Sequence, residues 1–272
     1  MSYVDTPEKK QKHPHYEHRT TKLDRKDNEF SSKKFHRVRK VSTHKKLLKS
    51  FGRISMCLNG KTPTSIPIGD LNKVCFILVN DYDDEHNDLG VGPLNDGYLA
   101  GLKHHRFGYK VFYLYNSTSE EFSNFLGFFL KNTTDELTVF YSGLEDNGQG
   151  IEFNSGSLSK SSIGQVIANN CTGKPRVMFI TDCIGGGSVF DISSGSNLIS
   201  LSVRKTNSPE SKESKRSHGI FTYYLFKIFS DCPNITPNRL IERMNPSLQR
   251  FNEVFTCEMT DQQFCDSPIF IN

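Results

Sequence analysis

Val74-Cys-Phe-Ile-Leu-Val79 is an unbroken apolar run, stopped abruptly by Asn80 and Asp81. A strand with one wet face alternates apolar and polar residues, because successive side chains point to opposite sides. This run does not alternate, so both of its faces must be covered, which calls for a parallel sheet with helices on each side. Strand-like runs recur at residues 111–115, 137–141, 177–180 and 198–203. Helical stretches separate them. Residues 95–105 put Tyr98, Leu99 and Leu102 on one side, and Ser119 is placed to cap a helix carrying Phe122, Phe125, Leu126 and Phe129 at helical spacing. Shorter helices are expected over 162–169, 221–229 and 237–244, and a last strand over 267–271. The alternation predicts an α/β fold: a three-layer sandwich of about six mostly parallel strands with helices on both faces.

The net charge of +4 hides an asymmetry. Residues 1–50 carry 15 Lys/Arg against 6 Asp/Glu, a net of +9, whereas 51–272 carry 19 against 24, a net of −5. Residues 1–50 therefore read as a basic, disordered tail, whose run Lys33-Lys-Phe-His-Arg-Val-Arg-Lys40 suits nucleic acid, an anionic membrane or an import receptor. The folded domain is expected over 70–271. No secretory signal is apparent at the start, and no apolar run reaches the roughly 18 residues of a bilayer span. Seven cysteines, odd in number and without a Cys-x-x-Cys pair, point to reduced thiols and a cytoplasmic setting, or a nuclear one through the tail.

Chemistry is expected at the end of the run 177–180, where Thr181, Asp182 and Cys183 meet Gly185, Gly186 and Gly187. In open α/β sheets, ligands gather at the carboxyl ends of strands. A thiol beside a carboxylate there is a candidate nucleophile, and a buried structural cysteine is the alternative. The glycines are a weak phosphate-loop candidate, since no Gly-Lys-Ser/Thr follows them and they lead into Val-Phe-Asp.

Several stretches fall in a telling order: Asn80-Asp-Tyr82, Leu94-Asn-Asp96, Phe140-Tyr-Ser-Gly143, the stretch from Phe179 to Asp191, and His218-Gly-Ile-Phe-Thr-Tyr-Tyr-Leu225. Together they resemble the caspase-like cysteine peptidases, on the metacaspase side, over residues 70–271. The resemblance implies a sheet flanked by helices and a Cys–His dyad on the loops after the third and fourth strands. There the thiolate attacks the scissile carbonyl and the imidazole moves the proton. Family members carry the His in Tyr-Ser-Gly-His-Gly, but here Tyr141-Ser-Gly143 is followed by Leu144 and Glu145. The family's Asp-x-Cys-His-Ser-Gly-Ser pattern, matched without a gap to Ser188-Val-Phe-Asp191, sets its Asp on Asp182 and its Cys on Ile184. A shift by one residue makes Cys183 the nucleophile and costs an insertion among the glycines. Neither register supplies a His after Gly143. The other histidines considered are His86, His104, His105 and His218.

The resemblance also implies an acidic pocket for Arg or Lys, built from Asp81, Asp83 and Asp182, which would alternatively hold calcium. No other cofactor and no metal site is expected. The resulting reading is a pseudopeptidase, degenerate at Leu144 and Ile184, that binds peptide or protein substrates or an active caspase-like relative. The alternative is an active endopeptidase with Cys183 as nucleophile, cleaving after Arg or Lys. Lys212, Lys215 and Arg216, in the polar loop 206–217, would suit self-processing. A third reading is a protein recruited to nucleic acid or membrane by its tail.

Overall fold

The computed structural model describes residues 44–82, 89–146, 148–184, 186–205 and 219–270. Strand β2 (Lys73–Val79) lies inside a seven-stranded sheet, flanked by β3 (Lys110–Tyr115) and β4 (Glu136–Leu144). Beyond β3 lies the short β1 (Met56–Cys57); beyond β4 come β7 (Arg176–Ile184), β8 (Leu198–Lys205) and β9 (Glu253–Met259). All neighbours are parallel except β9, which runs antiparallel to β8. A separate hairpin, β5 (Gly150–Phe153) with β6 (Gly156–Ser159), follows β4.

The continuous apolar character of β2 has its cause in two cores. Val74, Phe76 and Leu78 pack with Phe122, Phe125 and Phe129 of α3 (Ser119–Asn132) and with Ile163 and Ile167 of α4 (Lys160–Asn170). Cys75, Ile77 and Val79 face the other core. It is built from α1 (His44–Phe51), α2 (Gly92–Arg106), α5 (Ile220–Asp231) and α6 (Pro237–Gln249). The mixed three-layer α/β architecture is thus present, with β1 a short addition at one edge.

Three local expectations are corrected. Thr118, not Ser119, caps α3: its hydroxyl accepts from the Glu121 N–H while the Glu121 carboxylate accepts from the Thr118 N–H. This reciprocal pair needs Glu at the third helical position, which only a cap at Thr118 supplies. The last strand is 253–259, whereas Ile269 and Phe270 reach the core without strand pairing. Finally, residues 44–51 of the basic segment form α1, whose Leu47 and Phe51 are buried. Phe51 stacks on Tyr113 at 4.2 Å between ring centres. The approach of α2 depends on missing side chains. A Cβ on Gly97 would fall 2.5 Å from Val79 Cγ1, and one on Gly101 2.9 Å from Phe51 Cε2.

Candidate functional site

The carboxyl ends of β4 and β7 lie side by side. The ladder pairs Ser142 with Asp182, Gly143 with Cys183 and Leu144 with Ile184. Because side chains alternate along a strand, Asp182 and Cys183 serve opposite faces of the sheet. Asp182 bonds to Thr222 on α5, whereas the Cys183 side chain packs on the core beneath α3 and α4. Thus position 144 neighbours position 184, and Cys183 sits across from Gly143.

The Leu144 backbone is clamped. Its N–H donates to Tyr82 Oη at 2.8 Å, and its carbonyl accepts from Tyr141 Oη at 2.5 Å. Tyr82 also donates to the Glu152 carbonyl at 2.9 Å, tying β2 to the hairpin. Reaching this position puts Tyr82 in the left-handed region at φ 60°, a strained conformation for a bulky residue. Gly143 is required by the same cluster: a Cβ there would lie 2.6 Å from Tyr141 Oη and 3.0 Å from Tyr82 Oη.

Cys183 is part-buried, its side chain packed against the core beneath α3 and α4. The thiol is 3.9 Å from Glu145 Oε2 and 3.8 Å from the Gly187 carbonyl. Burial raises its pKa well above the ordinary value, and the neighbouring Glu145 and Asp182 carboxylates push the same way. Burial also lifts the Glu145 carboxyl to about 7, against the pull of Arg204 and Lys160. Among the described residues, no imidazole acts on this thiol. The glycine loop after β7 is bound back on β8: the Gly187 N–H donates to the Val203 carbonyl at 2.6 Å, and Gly186 bridges to Arg204.

The histidines have other employment. His104 is fully buried, with Nδ1 2.9 Å from the Ala100 carbonyl and Nε2 3.1 Å from Thr138 Oγ1. Burial lowers its pKa to about 4, so it is a neutral core residue. His105 lines a groove at the amino end of β3. His86 and His218 lie outside the described residues.

Of the pocket candidates, Asp182 accepts from the Thr222 N–H at 3.2 Å and from its hydroxyl at 2.5 Å, which caps the first turn of α5. Asp81 is enclosed by Tyr115 Oη and Asn116 Nδ2, each at 2.7 Å, and by His44 Nε2 at 2.5 Å. Its oxygens are spent on internal donors. Asp83 lies outside the described residues, as does the loop 206–217. Asp96, quoted above only as part of a motif, belongs to the site. It is buried, Ser142 Oγ donates to it at 3.3 Å, and burial together with Asp182 raises its carboxyl well above the usual range. Among the described residues, no group of three or more His, Cys, Asp or Glu is arranged to hold a metal ion. Nor is any described helix long and apolar enough to cross a membrane.

No family model and no curated protein matches the sequence. Among solved structures, the chain is similar to caspase-1 from Spodoptera frugiperda at 13% identity and a TM-score of 0.54, with 70% of this chain and 88% of that one covered. The Drosophila initiator caspase Dronc is similar at 11% identity and a TM-score of 0.54, with 74% and 85% covered. Pro-sf-caspase-1 is similar at 13% identity and a TM-score of 0.52, with 72% and 82% covered. At these identities the likeness concerns the fold, and the chain has a caspase-like fold.

Proposed function

We propose that this chain is a metacaspase-like pseudopeptidase: a caspase-like domain without peptidase chemistry that binds a protein segment at the carboxyl ends of β4 and β7. The carrying observation is the ladder that sets Leu144 beside Ile184 and turns Cys183 to the other face. Neither leucine nor isoleucine can attack a carbonyl or move a proton. The nearest thiol, part-buried, has its ionisation opposed by burial and by the neighbouring Glu145 carboxylate. The Gly187 N–H, a natural donor for a developing oxyanion, is already spent on Val203.

On this reading the strand ends keep the means to bind. Asp96 and Asp182, with Ser142, form a buried acidic floor suited to a basic side chain from a substrate or an active relative. An incoming cation favours the ionised form of Asp96, so binding releases a proton and affinity should rise with pH. The test is hydrolysis of fluorogenic peptides ending in Arg, Lys or Asp, with and without calcium, by the wild type and by Cys183→Ala. The proposal expects no turnover that depends on Cys183.

A second reading is an active peptidase with Cys183 as nucleophile. The 3.9 Å contact with Glu145 favours it, because a carboxyl titrating near 7 is an available proton acceptor. It requires turnover that both Cys183→Ala and Glu145→Gln abolish. That result would replace the pseudopeptidase reading. Recruitment by the basic tail is a separate proposal. It predicts salt-sensitive binding to nucleic acid or anionic vesicles that disappears when residues 1–43 are removed.

A further inference from the structure

We propose that the solvent face of α1 is a contact surface for the phosphate backbone of nucleic acid. The inference builds on recruitment by the basic tail, moves the contact onto a folded element and chooses nucleic acid over membrane. Residues 30–69 hold ten Lys/Arg and no Asp or Glu. Within that stretch, Leu47 and Phe51 fix α1 to the domain. Both are buried, and Phe51 stacks on Tyr113 at 4.2 Å and meets the edge of Tyr98 at 6.0 Å. At about 100° per residue, Lys45, Lys46 and Lys49 fall about 160–260° round the helix from Leu47. All three are exposed, as is Arg53 in the turn that follows.

Three observations select the partner. First, among the described residues none of these four cationic side chains has a hydrogen-bond or ion-pair partner. The carboxylate that α1 does reach, Asp81, is buried and spent on His44 at 2.5 Å. Lys49 follows Lys45 by four residues and Lys46 by three, spacings at which like charges on a helix repel, and a polyanion laid across them relieves that repulsion. Second, residues 51–272 carry a net charge of −5, so a polyanion is repelled by the rest of the domain and steered to this face. Third, a helix that lies on a membrane needs a free apolar face to sink into the acyl boundary. The apolar side of α1, Leu47 with Phe51, is already committed to the core, and a charged face is what remains. From Lys45 to Lys49 the helix rises about 6 Å, a length over which a duplex carries about three to four phosphate charges. Three lysines held at that spacing can each meet a phosphate.

The test is fluorescence anisotropy of a labelled DNA duplex of about 20 base pairs with the full 272-residue chain, over about 50–200 mM salt. Affinity should fall as salt rises. The triple variant Lys45→Gln, Lys46→Gln, Lys49→Gln should reduce the slope of log affinity against log salt by about 2 to 3, since each lost phosphate contact removes about 0.9. A control with the same loss of charge, Lys131→Gln, Lys174→Gln, Lys227→Gln, takes exposed lysines from other elements and should leave the slope within about 0.5 of wild type. All six positions are exposed, so both proteins should fold as the wild type does. Residues 1–43 are present throughout. Binding carried by them alone would show as a slope that the α1 variant leaves unchanged, which overturns this proposal and leaves recruitment by the tail standing. No binding by the wild type overturns both. The proposal is also overturned if the α1 variant keeps the duplex slope but loses binding to phosphatidylserine vesicles, which would make a membrane the partner.

Discussion

Glu145→Gln separates a suppressed thiol from an activated one. In the fold, Cys183 Sγ and Glu145 Oε2 are 3.9 Å apart, so ionising both sets two negative charges together. Their repulsion is about 1 kcal/mol at the dielectric constant of water and about 4 kcal/mol at an effective value of 20. Removing the carboxylate charge therefore enriches the thiolate by about fivefold at the lower bound. The lower basicity of that thiolate returns part of the gain, leaving a rate increase of about threefold to fiftyfold. The assay is iodoacetamide labelling at pH 8, where Glu145, titrating at about 7, is mostly charged. Peptide mass spectrometry follows each cysteine separately. In the wild type, Cys183 should label more slowly than Cys171 and Cys232, which are equally part-exposed, because burial and the nearby carboxylates raise its pKa. In Glu145→Gln, the Cys183 rate should rise while the other cysteines keep theirs. A fall in the Cys183 rate would refute the reasoning, because it would make Glu145 the base that activates the thiol. The pseudopeptidase reading would then lose its main chemical support.

Phe51→Ala should cost about 3–5 kcal/mol and lower Tm by about 6–20 °C, because it empties a fully buried site stacked on Tyr113. A tail residue with no packing role would shift Tm by almost nothing. Gly97→Ala should destabilise by about 1–3 kcal/mol in chemical denaturation, since the new methyl meets Val79 at 2.5 Å and α2 must retreat. Unchanged stability would show that α2 moves freely. Asp96→Asn should stabilise the fold more at pH 8 than at pH 5. The folded carboxyl holds its proton well above the ordinary range, so wild-type stability falls as pH rises past the unfolded value, and the amide has no such loss. An equal gain at both pH values would count against a raised Asp96.

Legibility followed the range of the interactions. The two-sided burial of β2 was readable because it is written in consecutive residues, and the Phe stripe of α3 because its spacing is local. Helix α1 was hidden by its surroundings: Leu47, Leu48 and Phe51 make one apolar turn inside a strongly basic stretch. The last strand was misplaced for a related reason. Ile269 and Phe270 look like strand residues because they are buried, but they are plugs beside Pro268, which has no N–H to give a ladder. The β9 segment is an edge strand with a mixed burial pattern, so its sequence advertises less. Within the site, the neighbours of Cys183 depend on how β4 pairs with β7, and a strand register between distant segments leaves no local mark. Glu145 was visible only as the residue after Leu144, and although Tyr82 and Tyr141 both lie in the quoted motifs, nothing in the sequence said that their hydroxyls meet at Leu144.

That clamp bears on how a dyad can be lost from a fold like this one. Leu144 is held through its backbone, by Tyr82 at the N–H and Tyr141 at the carbonyl, so the geometry at position 144 does not depend on which side chain is there. The positions that shape the crevice are instead Gly143, which a side chain would force against two hydroxyls, and Asp182, which staples β7 to the first turn of α5. A proton-transfer residue at 144 and a nucleophile at 184 would be additions to strand ends already fixed by other contacts. On the proposed reading, their absence removes chemistry and leaves the β4–β7 ladder and the Asp182 helix cap in place. Replacing Leu144 with His should therefore be tolerated by the fold, with Tm within about 2 °C of wild type, as for changes away from buried cores and networks. On the proposed reading, Leu144→His should also fail to create turnover by itself, because position 184 carries Ile and not a nucleophile. A Leu144→His protein that hydrolyses Arg or Lys peptides, and loses this in the Cys183→Ala background, would mean that Cys183 reaches the crevice after all, and the ladder would have to be redrawn by one residue.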